Sequence, residues 1–457
     1  MFDSSCEKGP LSAAGIAEIF SGCADFERRE VLPGLEGGRC LSVCWVDGLA
    51  DGAAIAEDIL RPLTEQARTE GLCERRLLEL LERGGVYSCT VRRRKRQDEL
   101  VTDLLAGFCC LIAEGAGEAL SFEVRSKATR SISTPQVEKS IKGGKDAFVE
   151  TLRVNTSLVR RKLRTPELHL TETVVGLRSG TSVAVMHLEG IAREGLAEEV
   201  LRRIDAMDID GLLTAGDLEE YIVDCPRTPF PQLLHTERPD AFAAQLLDGR
   251  VGILVDGLPL GFLLPGGLAA FMRVPEDSAD HFLVASMLTL LRWAALVLSL
   301  CLPAAFVAIS MYHQEMLPVK LLLSMTAAKQ YVPFGVAAEV IAMLLSFELL
   351  QEAGLRLPDP VGQTASIIGA LIVGQSAVEA KVVSPIAVIC GYVMPSRDLG
   401  SAVRLCRLVF VLAAVLLGLY GLIGALALLI LHLATLESFG APYTAPFTDR
   451  DAPGALI

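Results

Sequence analysis

The chain has 457 residues, 51% hydrophobic and 21% charged, which excludes a disordered polypeptide and allows two or three domains around sizeable cores. With 42 Lys+Arg against 55 Asp+Glu, the formal net charge is −13, which argues against nucleic acid as a main partner. The average conceals two halves. Residues 1–292 hold 34 basic and 45 acidic side chains, whereas residues 293–457 hold 8 and 10 and most of the excess hydrophobicity. This reads as a soluble region followed by a membrane domain.

The N-terminus, MFDSSCEKG, has no basic n-region and no apolar h-region. No cleaved signal peptide is expected, and the soluble region is placed on the cytoplasmic side. In the soluble half, residues 39–46 form an apolar run entering the turn Asp47-Gly48, and a helix pattern follows at 53–69. Residues 86–94 and 107–113 read as strands, and the polar stretch 125–136 as a linker. A second unit then opens with a helical pattern at 146–163. Strands are expected at 168–175 and 182–188 around a turn at Arg178-Ser179-Gly180. Helices are expected at 193–206, 214–222 and 238–247, then a strand at 250–255. Strands alternating with helices indicate α/β layers. No internal repeat is visible.

In the second half, residues 293–314 carry no formal charge and suffice for a transmembrane helix, with Pro303 as a kink and Arg292 as the cytoplasmic flank. The amphipathic stretch 317–330 is expected in the membrane interface, its Lys320 and Lys329 snorkelling. Residues 332–350 are apolar except for Glu339 and Glu348. Residues 360–378 are uncharged, and 382–396 is short for an upright span, so this pair reads as a helical hairpin. The last span is 408–436, with Arg397, Arg404 and Arg407 in a cytoplasmic loop before it. Gly418, Gly421 and Gly424 mark one face of that helix. The Lys/Arg distribution gives about four to five crossings. The fold class is therefore an α/β cytoplasmic region of two subdomains followed by an α-helical transmembrane domain. The expected boundaries are 1–130, 131–275 and 276–437, with a short polar tail at 438–457.

Motifs for chemistry are sparse. There is no P-loop, no dinucleotide fingerprint and no H-E-x-x-H, and the 6 His show no ligand spacing. DAMDIDG at 205–211 is out of register for an EF-hand. The 12 cysteines form no C-x-x-C pair and read as reduced, buried apolar residues. No metal, no cofactor and no catalytic constellation is expected, and hence no enzyme. The basic runs Arg92-Arg93-Arg94-Lys95-Arg96 and Arg160-Arg161-Lys162 with Arg164 read as solvated strand or helix ends, with an acidic subunit or anionic headgroups as alternatives. Acids within apolar helices are costly unless they face protein or water, so they are functional candidates. Glu339 and Glu348, nine apart, lie on opposite sides of a helix. Gln375 and Glu379 share a face, and Lys381 can pair with a carboxylate. The pore or gating candidates are Glu339, Gln363, Gln375, Glu379 and Lys381.

Residues 315–389 carry VPF, FELLQEAG, RLP, IIGALIVGQSAVEA and VSP, and the soluble half adds VDGLAD, AFVETLRVNTSLVRRKLRTPEL, IDAMDIDG, PFPQLLHTERPD and GRVGILVDGLP. In these motifs the chain resembles the GerA family of bacterial spore germination proteins, the A subunits of germinant receptors, from about residue 40 to about 435. The resemblance implies a two-lobed cytoplasmic region and a membrane domain in the inner spore membrane. It implies assembly with a membrane B subunit and a lipoprotein C subunit, and homo-oligomerisation into a germinant-gated channel for monovalent cations. Lys381 departs from the small residue more usual there. The alternative is a non-conducting accessory of another spore channel, such as the dipicolinate channel.

Overall fold

A computed structural model of the chain describes residues 11–31, 41–64, 74–85, 90–126, 143–274, 277, 281–329, 333–355, 375 and 397–445. They divide into two compact units. One holds the residues up to Pro226 together with Leu233–Pro265; the other holds Arg227–Gln232 and the described residues from Gly266.

The first unit contains two antiparallel sheets. β1 (Phe26–Val31), β2 (Leu41–Val46), β3 (Val91–Arg94), β4 (Phe108–Ala113) and β5 (Glu118–Glu123) form one, in the order β1-β2-β4-β5-β3. β6 (Leu168–Val175), β7 (Thr181–Leu188), β8 (Leu234–Thr236), β9 (Val251–Val255) and β10 (Gly261–Leu264) form the other, in the order β6-β7-β9-β10-β8. The expected strands at 107–113, 168–175, 182–188 and 250–255 are all present, and the apolar run before the Asp47-Gly48 turn is a strand over Leu41–Val46. The run at 86–94 is a strand from Val91; residues 86–89 and most of the expected linker lie outside the described residues. β1 escapes sequence reading because FERREV is an edge strand whose residues 27–30 are all exposed, so it shows no alternation.

Helices α1 (Ala13–Ile19), α2 (Gln97–Leu105), α3 (Leu152–Lys162), α4 (Leu196–Asp205) and α6 (Pro239–Leu247) pack on these sheets, and α5 (Ala215–Ile222) packs on α4. α3 begins six residues later than the pattern at 146–163 suggests. Asn155 accounts for the difference by holding the preceding strand-like segment: it accepts from Val149 N at 2.8 Å and donates to Val149 O at 2.6 Å. α5 starts where Thr214 and Asp217 cap each other's backbone N–H groups.

The two sheets are one design used twice. A single offset of 142 residues carries Gly48 onto Gly190 and Gly107 onto Gly249, all four with positive φ. The same offset lays β1 to β5 onto β6 to β10 and α2 onto α6. VDGLA at 46–50 then faces LEGIA at 188–192, and DLLAG at 103–107 faces QLLDG at 245–249. A Cβ at Gly107 would lie 2.8 Å from Leu49 O, and one at Gly249 would lie 3.0 Å from Ile191 O. The reading of no internal repeat is thus corrected. Identity survives where a turn demands glycine and at Leu104 and Leu246, both fully buried, while most other positions differ.

The lobes join through buried polar contacts. Leu170 N donates to Gly22 O and Ala24 N to Leu170 O. Arg160 on α3 forks onto Asp25, with Nε–Oδ2 at 2.8 Å and Nη2–Oδ1 at 2.7 Å, both side chains 1% exposed. Burial works against the guanidinium charge; the Asp25 charge and hydrogen bonds outweigh it and hold the Arg160 pKa above its ordinary value. Arg160 is therefore no solvated helix end. The other basic run is also neutralised internally: Arg94 and Arg92 on Asp103, Arg93 and Lys95 on Glu118, and Arg96 on Asp98. Cys23, Cys44, Cys109 and Cys110 are buried as expected, and burial pushes the Cys44 thiol up to about 12. Cys225 departs from that reading and is exposed.

In the second unit, α7 (Phe282–Tyr312), α8 (Val319–Lys329), α9 (Val336–Leu355), α10 (Arg397–Leu417) and α11 (Leu419–Thr435) follow one another. Among the described residues, Phe282–Tyr312 and Leu399–Leu417 are long and apolar enough to cross a membrane. The expected single span at 408–436 is corrected to two helices meeting at Gly418, whose φ is +61°. A Cβ there would lie 3.0 Å from the Tyr312 ring. Hydropathy cannot see a turn made by one apolar-compatible residue. The supposed loop at 397–407 is the first half of α10.

Contacts within this unit fix the helix directions. Tyr312 Oη donates to Val415 O at 2.6 Å, so α7 and α10 end together. Glu348, late in α9, meets Arg404 and Arg407, early in α10, so α9 runs back against α10. At the end of α11, His432 hydrogen-bonds Thr228 at 2.9 Å. A hairpin of β11 (Glu437–Ser438) and β12 (Ala441–Pro442) follows. Beyond it, Tyr443 O accepts from Leu268 N, and Tyr443 Oη donates to Pro231 O. Leu268–Met272 is a short helix leading into α7, where Arg292 ties down Asp277 at 2.5 and 2.8 Å. The end of α11 therefore returns to the beginning of α7. The segment after α11 is folded through Ala445, with Tyr443 fully buried.

Replacing Arg160 by Ala strands a buried carboxylate and should cost about 3–5 kcal/mol. Asp25→Leu combined with Arg160→Met should recover most of it. Denaturant unfolding of the full chain in detergent, followed by far-UV circular dichroism, checks this. Equal losses in the single and double variants would contradict the assignment.

Candidate functional site

Apolar side chains hold the helical unit together: Leu300, Ala304 and Val307 of α7, Val340 and Met343 of α9, Phe410 and Ala414 of α10, and Leu422 of α11. Against that background the charged groups stand out energetically, because each must be matched inside the protein. Glu339 on α9 is 1% exposed, in the first turn of the helix and flanked by the core residues Val336, Val340 and Met343. Glu348, nine residues on, is 36% exposed at its side chain. The expected opposition of the two acids around α9 gives them different surroundings.

Glu348 holds two arginines of α10. Its Oε2 accepts from Arg404 Nη1 and its Oε1 from Arg407 Nη2, both at 3.1 Å. Arg407 is 8% and Arg404 30% exposed at the side chain. Arg404 also donates to Ser401 Oγ at 2.8 Å. The arginines are three positions apart, so one helical face presents both to one carboxylate. Sequence reading missed this partnership because it placed Arg404 and Arg407 in a loop. Their i,i+3 spacing directly before an apolar run is the signal that finds it. The pairing fixes α9 against α10 at one height. Its strength lies between the roughly 1 kcal/mol of an exposed pair and the 3–5 kcal/mol lost when a buried pair is broken.

Of the other sequence candidates, Gln375 is helical and exposed. Gln363, Glu379 and Lys381 lie outside the described residues. Among the described residues, no group of three or more His, Cys, Asp or Glu is placed to hold a metal ion.

The glycines of α11 separate by environment. Gly421 abuts the Ala413 carbonyl so closely that a Cβ would collide with it, whereas a Cβ at Gly424 meets nothing within 4 Å. Gly424 lines a groove of about 460 Å³ with Leu405, Val409, Gly421, Ala425 and Leu428. Gly421→Ala should therefore destabilise the α10–α11 hairpin by about 1–3 kcal/mol through overpacking, and Gly424→Ala should leave it unchanged. Thermal unfolding of the detergent-solubilised chain distinguishes them; similar shifts for both would refute the packing described.

Residues 14–454 match the family described as Bacillus/Clostridium GerA spore germination protein. Among curated proteins, the chain is 35% identical to spore germination protein KA of Bacillus subtilis, over 98% of this chain and 84% of that one. It is 34% identical to spore germination protein B1 of Bacillus subtilis, over 88% of this chain and 84% of that one. Among solved structures, it is similar to the N-terminal domain of the A subunit of the Bacillus megaterium spore germinant receptor GerK3. The identity is 27%, covering 56% of this chain and 96% of that one, with a TM-score of 0.43. With a match running through both sheets and every helix of the second unit, this chain belongs to the GerA family of spore germination proteins.

Proposed function

We propose that this chain is an A-type subunit of a spore germinant receptor and acts as a gated path for monovalent cations. In this reading the two α/β lobes are cytoplasmic, and α7, α9, α10 and α11 are four crossings in the inner spore membrane. The return of α11 to the start of α7 supports an even number of crossings. Gln363, Gln375, Glu379 and Lys381 contribute the polar lining in this reading. Copies of the chain ring the pore through small-residue faces such as the Gly424 groove, with a membrane B subunit and a lipoprotein C subunit as partners.

The observation that carries the reading is the Glu348–Arg404–Arg407 clamp. A carboxylate and two guanidiniums joining two apolar helices form a bistable element: closed when paired, open when the helices slide. Glu339, buried one face away, is the acid placed to meet a partially dehydrated cation when they do. Loss of roughly 1 kcal/mol from the clamp shifts such an equilibrium about fivefold.

Spores carrying this chain and its neighbours as their sole receptor set provide the test. A pool of amino acids, nucleosides and sugars should trigger prompt potassium release that disappears when the chain is deleted. Glu348→Gln should raise potassium release without any germinant by severalfold at unchanged protein level. Prompt release that survives deletion, with slowed dipicolinate loss, would overturn this reading in favour of the accessory role.

A further inference from the structure

The basic run on α3 is not uniform once folded. Arg160 is spent on Asp25, and Lys162 pairs with Asp146 at 2.8 Å. Arg161 and Arg164 have no carboxylate partner among the described residues; Arg161 Nη2 donates to Ser126 O at 3.2 Å and Arg164 Nε to Arg161 O at 3.3 Å. Together with Arg125 they line a cleft of about 240 Å³ at the junction of the lobes, floored by Leu49, Leu105 and Ala106. Arg125 comes from the first lobe, where it lies over the Phe108 ring at 5.4 Å and pairs with Glu123 at 3.3 Å. Ser126 N is bonded to Leu49 O, which fixes the cleft's edge. The repeat offers an internal control. At the corresponding corner of the second lobe, Asp248 replaces Ala106, so the basic character belongs to this corner and not to the shared design.

We propose that this cleft binds a small oxyanion of the phosphate class. Three guanidiniums from two lobes converge on it, and no described carboxylate lines it. Planar forked donors suit tetrahedral oxyanions bidentately, and two of the three charges have no acidic partner among the described residues. Ligand bound here would bridge the lobes across the junction that Asp25 and Arg160 already hold. The site is independent of the channel reading above. Its oxyanion could come from free phosphate groups in solution or from an anionic lipid headgroup, and the two sources are separable.

The test uses the full chain in phosphatidylcholine nanodiscs, titrated with inorganic phosphate against chloride at constant ionic strength, with equilibrium dialysis as the readout. Saturable binding is expected, weakened roughly tenfold or more in the Arg161→Gln, Arg164→Gln double variant, in line with loss of charge-assisted hydrogen bonds. The variant should keep the wild-type circular dichroism and melting temperature without phosphate, since neither side chain is buried. Arg161→Lys should bind with intermediate strength. If phosphatidylglycerol in the nanodisc abolishes phosphate binding, the source is the lipid headgroup; if it has no effect, the source is free phosphate. Absence of saturable binding in phosphatidylcholine nanodiscs, or equal binding by the double variant, overturns the site.

Discussion

Charge in apolar surroundings must find an opposite charge within the protein, and this constraint organises both units of the chain. In the α/β region, Arg160 can lie fully buried because Asp25 receives it with two parallel hydrogen bonds. In the helical unit, Arg404 and Arg407 lie at the start of the apolar run of α10, where Glu348 receives both. Each arrangement joins elements far apart in sequence and leaves them few alternative registers. A hydrophobic contact of the same area would tolerate sliding; a shared carboxylate does not.

The lobes show how far a sequence can diverge while keeping its backbone. Both carry strands in the order 1-2-4-5-3 when numbered within the lobe, and both place a nine-residue helix before the fourth strand. The glycines that hold the pattern do so for a stated reason: positive φ at Gly48, Gly107, Gly190 and Gly249, and a carbonyl against two of them. The junction between the lobes uses residues that the repeat does not share, Arg160 and Asp25 among them. The shared backbone supplies the scaffold, and residues particular to the junction supply the specificity of the pairing.

Much of the α/β fold was legible from periodicity, because buried strands such as FCCLIA and capped helices such as the one after Thr214 declare themselves locally. Edge strand β1 did not, since its exposed charges resemble a loop. The helical unit was legible in amount of apolar sequence and not in segmentation. Hydropathy is blind to a one-residue turn at Gly418 and to the difference between a charged loop and a charged helix end. The acids were found because a charge in an apolar run is conspicuous; their partners were not, because pairing is tertiary. Membership of the family was legible from ordered motifs well before the geometry.

A charge swap tests the clamp most directly. Glu348→Arg places three cations together and should open the unit, giving unstimulated potassium loss from dormant spores. Adding Arg407→Glu restores an opposite pair at the same height on the same two helices, and the account predicts that potassium retention returns towards the wild-type level. If the double variant leaks as much as Glu348→Arg alone while both proteins accumulate normally, the pairing of Glu348 with α10 does not hold the closed state, and the central claim fails.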